Sequence, residues 1–116
     1  MPNLNVVFLM GNLTRDVELS YLPSQVAVAN FGLAVNRKWK KDDGSEGQEV
    51  GFFECQVFGK RAEAVSKYLV KGSPIFVQGR LKHETWESSG QKHSRVKVIV
   101  ENFEFLGGKR GSGKDD

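Results

Sequence analysis

The 116 residues, with a mass of 13.0 kDa, are enough for one domain with a single core and too few for a second domain beside it. Hydrophobic residues make up 39% and charged residues 27% of the chain, which excludes a disordered polymer and a membrane-spanning segment of about 20 apolar residues. One cysteine and two histidines exclude an internal disulfide and make a structural zinc site unexpected. The N-terminus has no basic region or cleavage site typical of a secretion signal, so we expect a cytoplasmic protein.

The formal net charge is only +3, but the basic residues are concentrated in three segments. Residues 37–41 read RKWKK, residues 60–72 contain four basic residues and one acid, and residues 80–97 contain five and two. Clustered cations indicate a polyanionic partner more strongly than the small total does. On this observation alone, a solvated surface of ordinary lysines is an equally good interpretation.

Alternation of apolar and polar residues predicts five strands. Their central parts lie at residues 4–10, 27–35, 51–59, 75–86 and 96–100. Between the third and the fourth, the segment KRAEAVSKYLVKG changes to the period of a helix. The segment ESSGQKHS, between the fourth and the fifth, is predicted to be a flexible hairpin loop.

The predicted order is three strands, one helix and two strands. A meander does not need the helix, and a doubly wound α/β fold needs more than one. We therefore predict an all-β protein with one helix: a five-stranded OB-fold (oligonucleotide/oligosaccharide-binding) barrel with the helix between strands 3 and 4. The barrel is expected to comprise residues 1–106, followed by a disordered Gly- and Lys-rich tail, residues 107–116.

Aromatic residues fall into three predicted groups. Phe8, Phe31 and Phe53 occupy inward positions and are predicted to lie in the core. Phe76 is predicted to point outward beside Gln78 and to cover a subunit interface. Four other rings lie among cations or on a polar strand face, where they could stack bases for about 1–3 kcal/mol each. These predicted stacking residues are Trp39, Phe52, Phe58 and Trp86, and the cations predicted to contact phosphate are Arg37, Lys41, Arg80, Lys82 and Lys97.

Catalysis has little support in the sequence. No nucleophile stands with a base and an orienting group, because His83 and His93 flank a predicted loop and Cys55 points inward. The tail segment GKRGSGK, from Gly108, fits the first part of a phosphate-binding loop, but Asp115 follows where Ser or Thr would hold magnesium. We therefore predict a binding protein without enzymatic activity, cofactor or metal.

Six segments resemble the bacterial-type single-stranded DNA-binding proteins, the SSB family of replication, recombination and repair. The segments are NVVFLMGNLTRDVEL, VANFGLAVNRKW, FFECQVFGKRAE, SKYLVKG, IFVQGRLKHETW and the FLGG that ends the last strand. They follow one another through nearly the whole chain. The resemblance implies a homotetramer of OB domains that binds single-stranded DNA independently of base sequence, and it adds Lys60 and Lys71 to the phosphate contacts.

The sequence also departs from the family. Glu54, Glu84 and Thr85 occupy positions where relatives often carry cations, which predicts a weaker or differently routed phosphate track. Relatives carry a long flexible linker and an acidic C-terminal tip that recruits replication and repair proteins, and this sequence ends with KDD instead. The resemblance therefore implies that residues 107–116 are the start of a truncated or shortened C-terminal linker. Two alternatives stay open: a primosomal or RNA-binding OB-fold protein of related descent, and an OB domain that binds proteins or oligosaccharides.

Overall fold

The computed structural model describes residues 2–106, which contain six strands and one helix. In chain order these are β1 (Val7–Leu13), β2 (Glu18–Tyr21), β3 (Ala27–Lys40), β4 (Glu46–Phe58), α1 (Lys60–Tyr68), β5 (Pro74–Ser88) and β6 (Gln91–Phe105). The predicted tail and its phosphate-loop-like segment lie outside the described residues. In the part of the chain that is described, no helix is long and apolar enough to cross a membrane.

Five of the strands close into a barrel. The hydrogen-bonded order is β1-β5-β6-β4-β3, and the ring closes because β1 also pairs with β3 at Asn12↔Ala34 and Leu13↔Leu33. All neighbours are antiparallel except β4 and β6, which run parallel. The predicted OB-type barrel with one helix is therefore confirmed.

The short strand β2 lies outside the ring and pairs only with β3. Its sequence ELSY alternates polar and apolar residues, but the strand is only four residues long and exposed at every position, which is too weak a signal to predict a strand. Counting β2 places the helix between the fourth and fifth strands of the chain, not between the third and fourth as predicted. The position of the helix relative to the five barrel strands is the predicted one.

Inward-facing aliphatic residues and one phenylalanine fill the barrel. Phe31 is fully buried, as its inward position predicted. The helix α1 adds Ala62 and Val65, also fully buried, to the same cluster. Further members with no more than 1% exposure are Ala29, Leu33, Cys55, Val57, Ile75, Val77 and Val98.

Two of the predicted core phenylalanines are exposed. On β1 the inward residues include Val7 and Leu9, whereas Phe8 lies on the outer face with 65% exposure. Every position from 6 to 10 is apolar, so alternation could not show which face is buried. Phe53 lies on the inner face of β4 but is 37% exposed, because it sits where the barrel opens.

Two long hairpins leave the barrel at the same end. β4 and β6 are parallel and meet at Cys55↔Val98 and Gln56↔Ile99, so the residues that precede these pairs leave in the same direction. We call residues 36–50 the β3–β4 arm and residues 80–97 the β5–β6 arm. Most side chains in both arms are exposed. Trp39 lies within β3, in the strand part of the β3–β4 arm.

The tip of the β5–β6 arm is a tight turn and not the predicted flexible loop. The strands stay paired as far as Ser88↔Gln91, and the turn consists of Ser89 and Gly90. Both have positive φ, 53° and 77°, as a type I′ hairpin turn requires. Such a turn matches the twist of the strands, so the ladder extends to the tip.

Burial at the centre of the barrel raises the pKa of the Cys55 thiol to about 12. Because the thiolate is the reactive form, the folded protein at pH 8 should react with Ellman's reagent at least about 100-fold more slowly than the chain unfolded in guanidinium. A stopped-flow absorbance measurement gives both rates. Equal rates in native and denaturing buffer would contradict the buried position of Cys55.

Candidate nucleic-acid interface

Trp86 lies on the outer face of the β5–β6 arm, between a histidine and an arginine. Its ring stacks on His93 of the opposite strand, with centroids 5.5 Å apart and planes at 21°. The Arg95 guanidinium lies 5.5 Å from the centroid of the indole. These contacts orient the ring, and the residue stays 45% exposed. A base could stack on the open part of the indole, with a cation beside it.

Arg80 and Lys82 lie on the same face of the β5–β6 arm as Trp86. The one register shift of this ladder, between Gln78 and Gly79, precedes these three residues, so alternation is regular among them. The Arg80 guanidinium is engaged by the Glu101 carboxylate at 2.8 Å. More than half of the Lys82 side chain is exposed.

Lys97 differs from the other predicted phosphate contacts because it is buried. Its residue exposure is 7%, and its Nζ lies 2.8 Å from Oε2 of Glu84. Alternation predicts an outward side chain, but residues 97–100 are buried on both faces of β6. In this conformation the ammonium is available to Glu84 and not to a phosphate in solution.

Trp39 lies flat against the backbone of the β3–β4 arm. It is opposite Gly47, where an added Cβ would be 2.5 Å from the indole ring. A residue without a side chain is therefore needed at position 47. The Arg37 guanidinium lies 4.7 Å from the ring centroid and pairs with Glu49 at 3.1 Å. Lys41 begins the turn of this arm, with an exposed side chain.

Phe52 and Phe58 project from the outer face of β4 and are 73% and 42% exposed. The β3–β4 ladder has no register shift, so residues two apart share a face. Trp39 belongs to the opposite face of this ladder. Six residues of a strand span about 20 Å, so Phe52 and Phe58 are far enough apart for each to stack a different base.

Arg15 is a cation of this outer face that the sequence analysis did not select. It belongs to the loop between β1 and β2, crosses over Gly32, and donates a hydrogen bond from Nη2 to Oε2 of Glu54 at 2.7 Å. Glu54 lies between Phe52 and Phe58 along β4, which places the guanidinium between the two rings. The hydrogen bond with Glu54 raises the pKa of Arg15. No local pattern could reveal the arginine, since 39 positions separate it from its partner.

Lys60 and Lys71, at the two ends of the helix segment, border the same outer face. Lys60 is exposed and follows Phe58 by two residues. Lys71 is also exposed, and its backbone N–H donates to Oδ1 of Asp16 at 2.7 Å, next to Arg15. The outer face of β4 therefore has separated cations along its border.

Phe76 and Gln78 lie on the outer face of β5, away from the arms. Phe76 stacks on Phe8 with centroids 6.2 Å apart and planes at 20°, and Met10, which pairs with Phe76, is 58% exposed. The Asn102 amide donates to Oε1 of Gln78 at 2.8 Å. We call Phe8, Met10 and Phe76 the outer apolar face.

In residues 2–106, no group of three or more His, Cys, Asp or Glu side chains is placed to hold a metal ion. The arrangement offers exposed rings and cations and can bind an extended anionic polymer that carries flat, stackable groups.

Comparison with known proteins agrees with this geometry. The model of the single-strand binding protein family matches residues 4–106. The chain belongs to the single-strand binding protein family. This confirms the resemblance seen in the sequence. The SSB-family chain is 51% identical over 109 residues to the single-stranded DNA-binding protein of Wolinella succinogenes, covering 93% of this chain and 67% of the relative.

A second relative, the single-stranded DNA-binding protein of Helicobacter hepaticus, is 51% identical over 106 residues, covering 90% of this chain and 62% of the relative. The SSB-family chain thus spans about two thirds of the length of these relatives. Among solved structures, a deletion mutant of the single-stranded DNA binding protein from Thermus aquaticus superposes with a TM-score of 0.81 and 35% identity, covering 91% of this chain and 52% of that one. A Plasmodium falciparum SSB complex with ssDNA shares the fold, with a TM-score of 0.84 and 24% identity. The match covers 91% of this chain and 97% of that one.

Proposed function

We propose that this protein binds single-stranded DNA without reading base sequence and protects it during replication, recombination and repair. The observation that carries the proposal is the pairing of exposed rings with arginines. Trp86 lies beside Arg95, and Trp39 lies beside Arg37. Together with membership of the single-strand binding protein family, this arrangement favours DNA over other extended polymers.

Binding combines two kinds of contact, base stacking on aromatic rings and ion pairs between cations and phosphates. Trp39, Phe52, Phe58 and Trp86 are the proposed stacking residues, and any base has a flat face that can stack on them. Among the proposed phosphate contacts, Lys41, Lys60, Lys71 and Lys82 have exposed side chains. Arg37 and Arg80 must exchange a carboxylate partner for phosphate. This exchange costs part of the electrostatic gain and predicts a modest contribution from each arginine.

We also propose a homotetramer, assembled in part through the outer apolar face. The exposed rings of Phe8 and Phe76 form an apolar surface that a second copy could cover. We further propose that the protein has no enzymatic activity and acts in the cytoplasm, on the DNA of the nucleoid.

Titration with oligo-dT of about 35 nucleotides tests the proposed function. Binding should quench tryptophan emission, because a stacked base covers the indoles of both arms. The affinity should fall as salt rises, with a slope of about 0.7 in log K per phosphate contacted. The measurement is a fluorescence titration at two salt concentrations, with folding checked by circular dichroism.

Unchanged emission from a folded sample at saturating oligo-dT would contradict stacking. Oligo-rU of the same length is the matched control for the sugar. Equal or tighter binding of the RNA would favour the alternative, a primosomal or RNA-binding OB-fold protein of related descent. Duplex DNA should compete weakly, because its bases are already stacked with one another.

A further inference from the structure

The β5–β6 arm contains one acid surrounded by three cations, next to a proposed stacking ring. Oε2 of Glu84 lies 2.8 Å from Nζ of Lys97 and 3.9 Å from Nζ of Lys82. Its Oε1 accepts a hydrogen bond from Nε of Arg95 at 3.0 Å. Arg95 also contacts the ring of Trp86, two residues from Glu84 along β5. All five side chains lie on one face of the arm.

Burial makes this cluster different from an ordinary surface ion pair. Among the described residues, Lys97 is the only charged residue that is buried, and only 23% of the Glu84 side chain is exposed. A lysine that has lost most of its water needs a close anion, and the Glu84 carboxylate supplies it. Hydrogen bonds from Lys97 and then Arg95 hold the pKa of Glu84 below its usual value, so the carboxylate stays ionised at neutral pH.

We propose that Glu84 is a built-in competitor of the DNA phosphates, which lowers affinity by occupying Lys97, Arg95 and, more weakly, Lys82. The proposal rests on the proposed function, because it concerns the strength of the same interface. A phosphate that approaches this face meets cations whose charge the carboxylate already partly neutralises. Each cation must exchange one anion for another, so the net gain is smaller than three free cations would give.

Two consequences distinguish this role from that of a simple surface charge. Binding should be weaker than the five basic residues of segment 80–97 suggest. The salt dependence should also be shallower, because a lysine that the protein already neutralises releases few of the counterions condensed on the DNA when it binds. Removal of the carboxylate should change both quantities in the same direction.

Glu84→Gln tests the proposal with little change in shape. We expect oligo-dT affinity to rise about 3- to 10-fold at low salt, with the slope of log K against log salt steeper by about 0.7, as one added phosphate contact requires. The matched control is Glu87→Gln, on the same strand. Glu87 forms no salt bridge in residues 2–106, and its cross-strand neighbour is Lys92. This control makes the same change in net charge and should alter affinity by less than about 2-fold.

Glu84→Gln leaves Lys97 buried without a full counter-charge, which could unfold the arm. The double variant Glu84→Gln with Lys97→Met removes both buried charges and keeps the net charge of the wild type. We expect its affinity to lie above the wild type and below Glu84→Gln, because Arg95 and Lys82 are freed. Thermal melting of each variant confirms that the barrel is folded.

The outcomes separate the two proposals. If the folded wild type does not bind oligo-dT, the proposed function is wrong. If the wild type binds and both folded variants bind no more tightly than it does, Glu84 only anchors Lys97 and the competitor role is wrong. A gain of the same size in Glu87→Gln would also overturn it, because net charge would then explain the effect.

Discussion

Replacing Trp86 with alanine should weaken oligo-dT binding by about 10- to 100-fold, because stacking of one base on an aromatic ring contributes about 1–3 kcal/mol. The ring is the most extensive apolar surface on the basic face of the β5–β6 arm, and its loss also frees His93 and Arg95 from their contacts with it. Stability should change little, since the arm lies outside the core. Fluorescence anisotropy of end-labelled oligo-dT measures the affinity without relying on the indoles.

Two variants serve as controls for this loss. Trp86→Phe retains a ring and should lose less affinity than the alanine variant. Val96→Ala shortens another exposed apolar side chain of the same arm, on the opposite face, and should leave binding unchanged. If Trp86→Ala binds as tightly as the wild type while folded, the arm does not stack a base through this ring.

Phe8→Glu should at least halve the mass of the particle in solution. The proposed wild-type homotetramer has about four times the 13.0 kDa mass of one chain in multi-angle light scattering. A carboxylate on the outer apolar face would be buried beside Phe76 and Met10 when a second copy docks, and an unpaired buried charge opposes association. The same measurement at several concentrations gives the change in assembly.

Phe52→Glu is the matched control, because it makes the same change at another exposed phenylalanine, on the outer face of β4. This variant should keep the wild-type mass and lose affinity for DNA. A wild type that runs as a monomer at micromolar concentration, or a Phe8→Glu variant with the wild-type mass, would show that the outer apolar face does not join subunits.

The barrel could be predicted because its central strands have one buried and one exposed face. In β4, Cys55 and Val57 alternate with Glu54 and Gln56, so the pattern shows both the strand and its inner face. Where this contrast is missing, the prediction fails. Residues 7–10 of β1 are apolar on both faces, and β2 is exposed on both. Local patterns therefore place Phe8 wrongly and miss the short strand.

The exposure of the candidate stacking rings could be predicted from the sequence, but the ion pairs of the neighbouring cations could not. Trp39, Phe52 and Trp86 stand out as rings among polar or basic neighbours, and the structure leaves all three exposed. The ion pairs of the cations depend on register between distant strands. Lys97 contacts Glu84 only because the register of β5 and β6 places Lys97 opposite Lys82, two residues from Glu84. Charge counting along the sequence therefore overestimates the free positive charge of the arms.

Each arm contains one indole, and the chain has two tryptophans in all. The molecule thus has a separate optical reporter on each hairpin, without any added label. A Trp39→Phe variant emits only from the β5–β6 arm, and a Trp86→Phe variant emits only from the β3–β4 arm. Rapid-mixing experiments with the two variants could follow the order in which the hairpins engage a strand and release it.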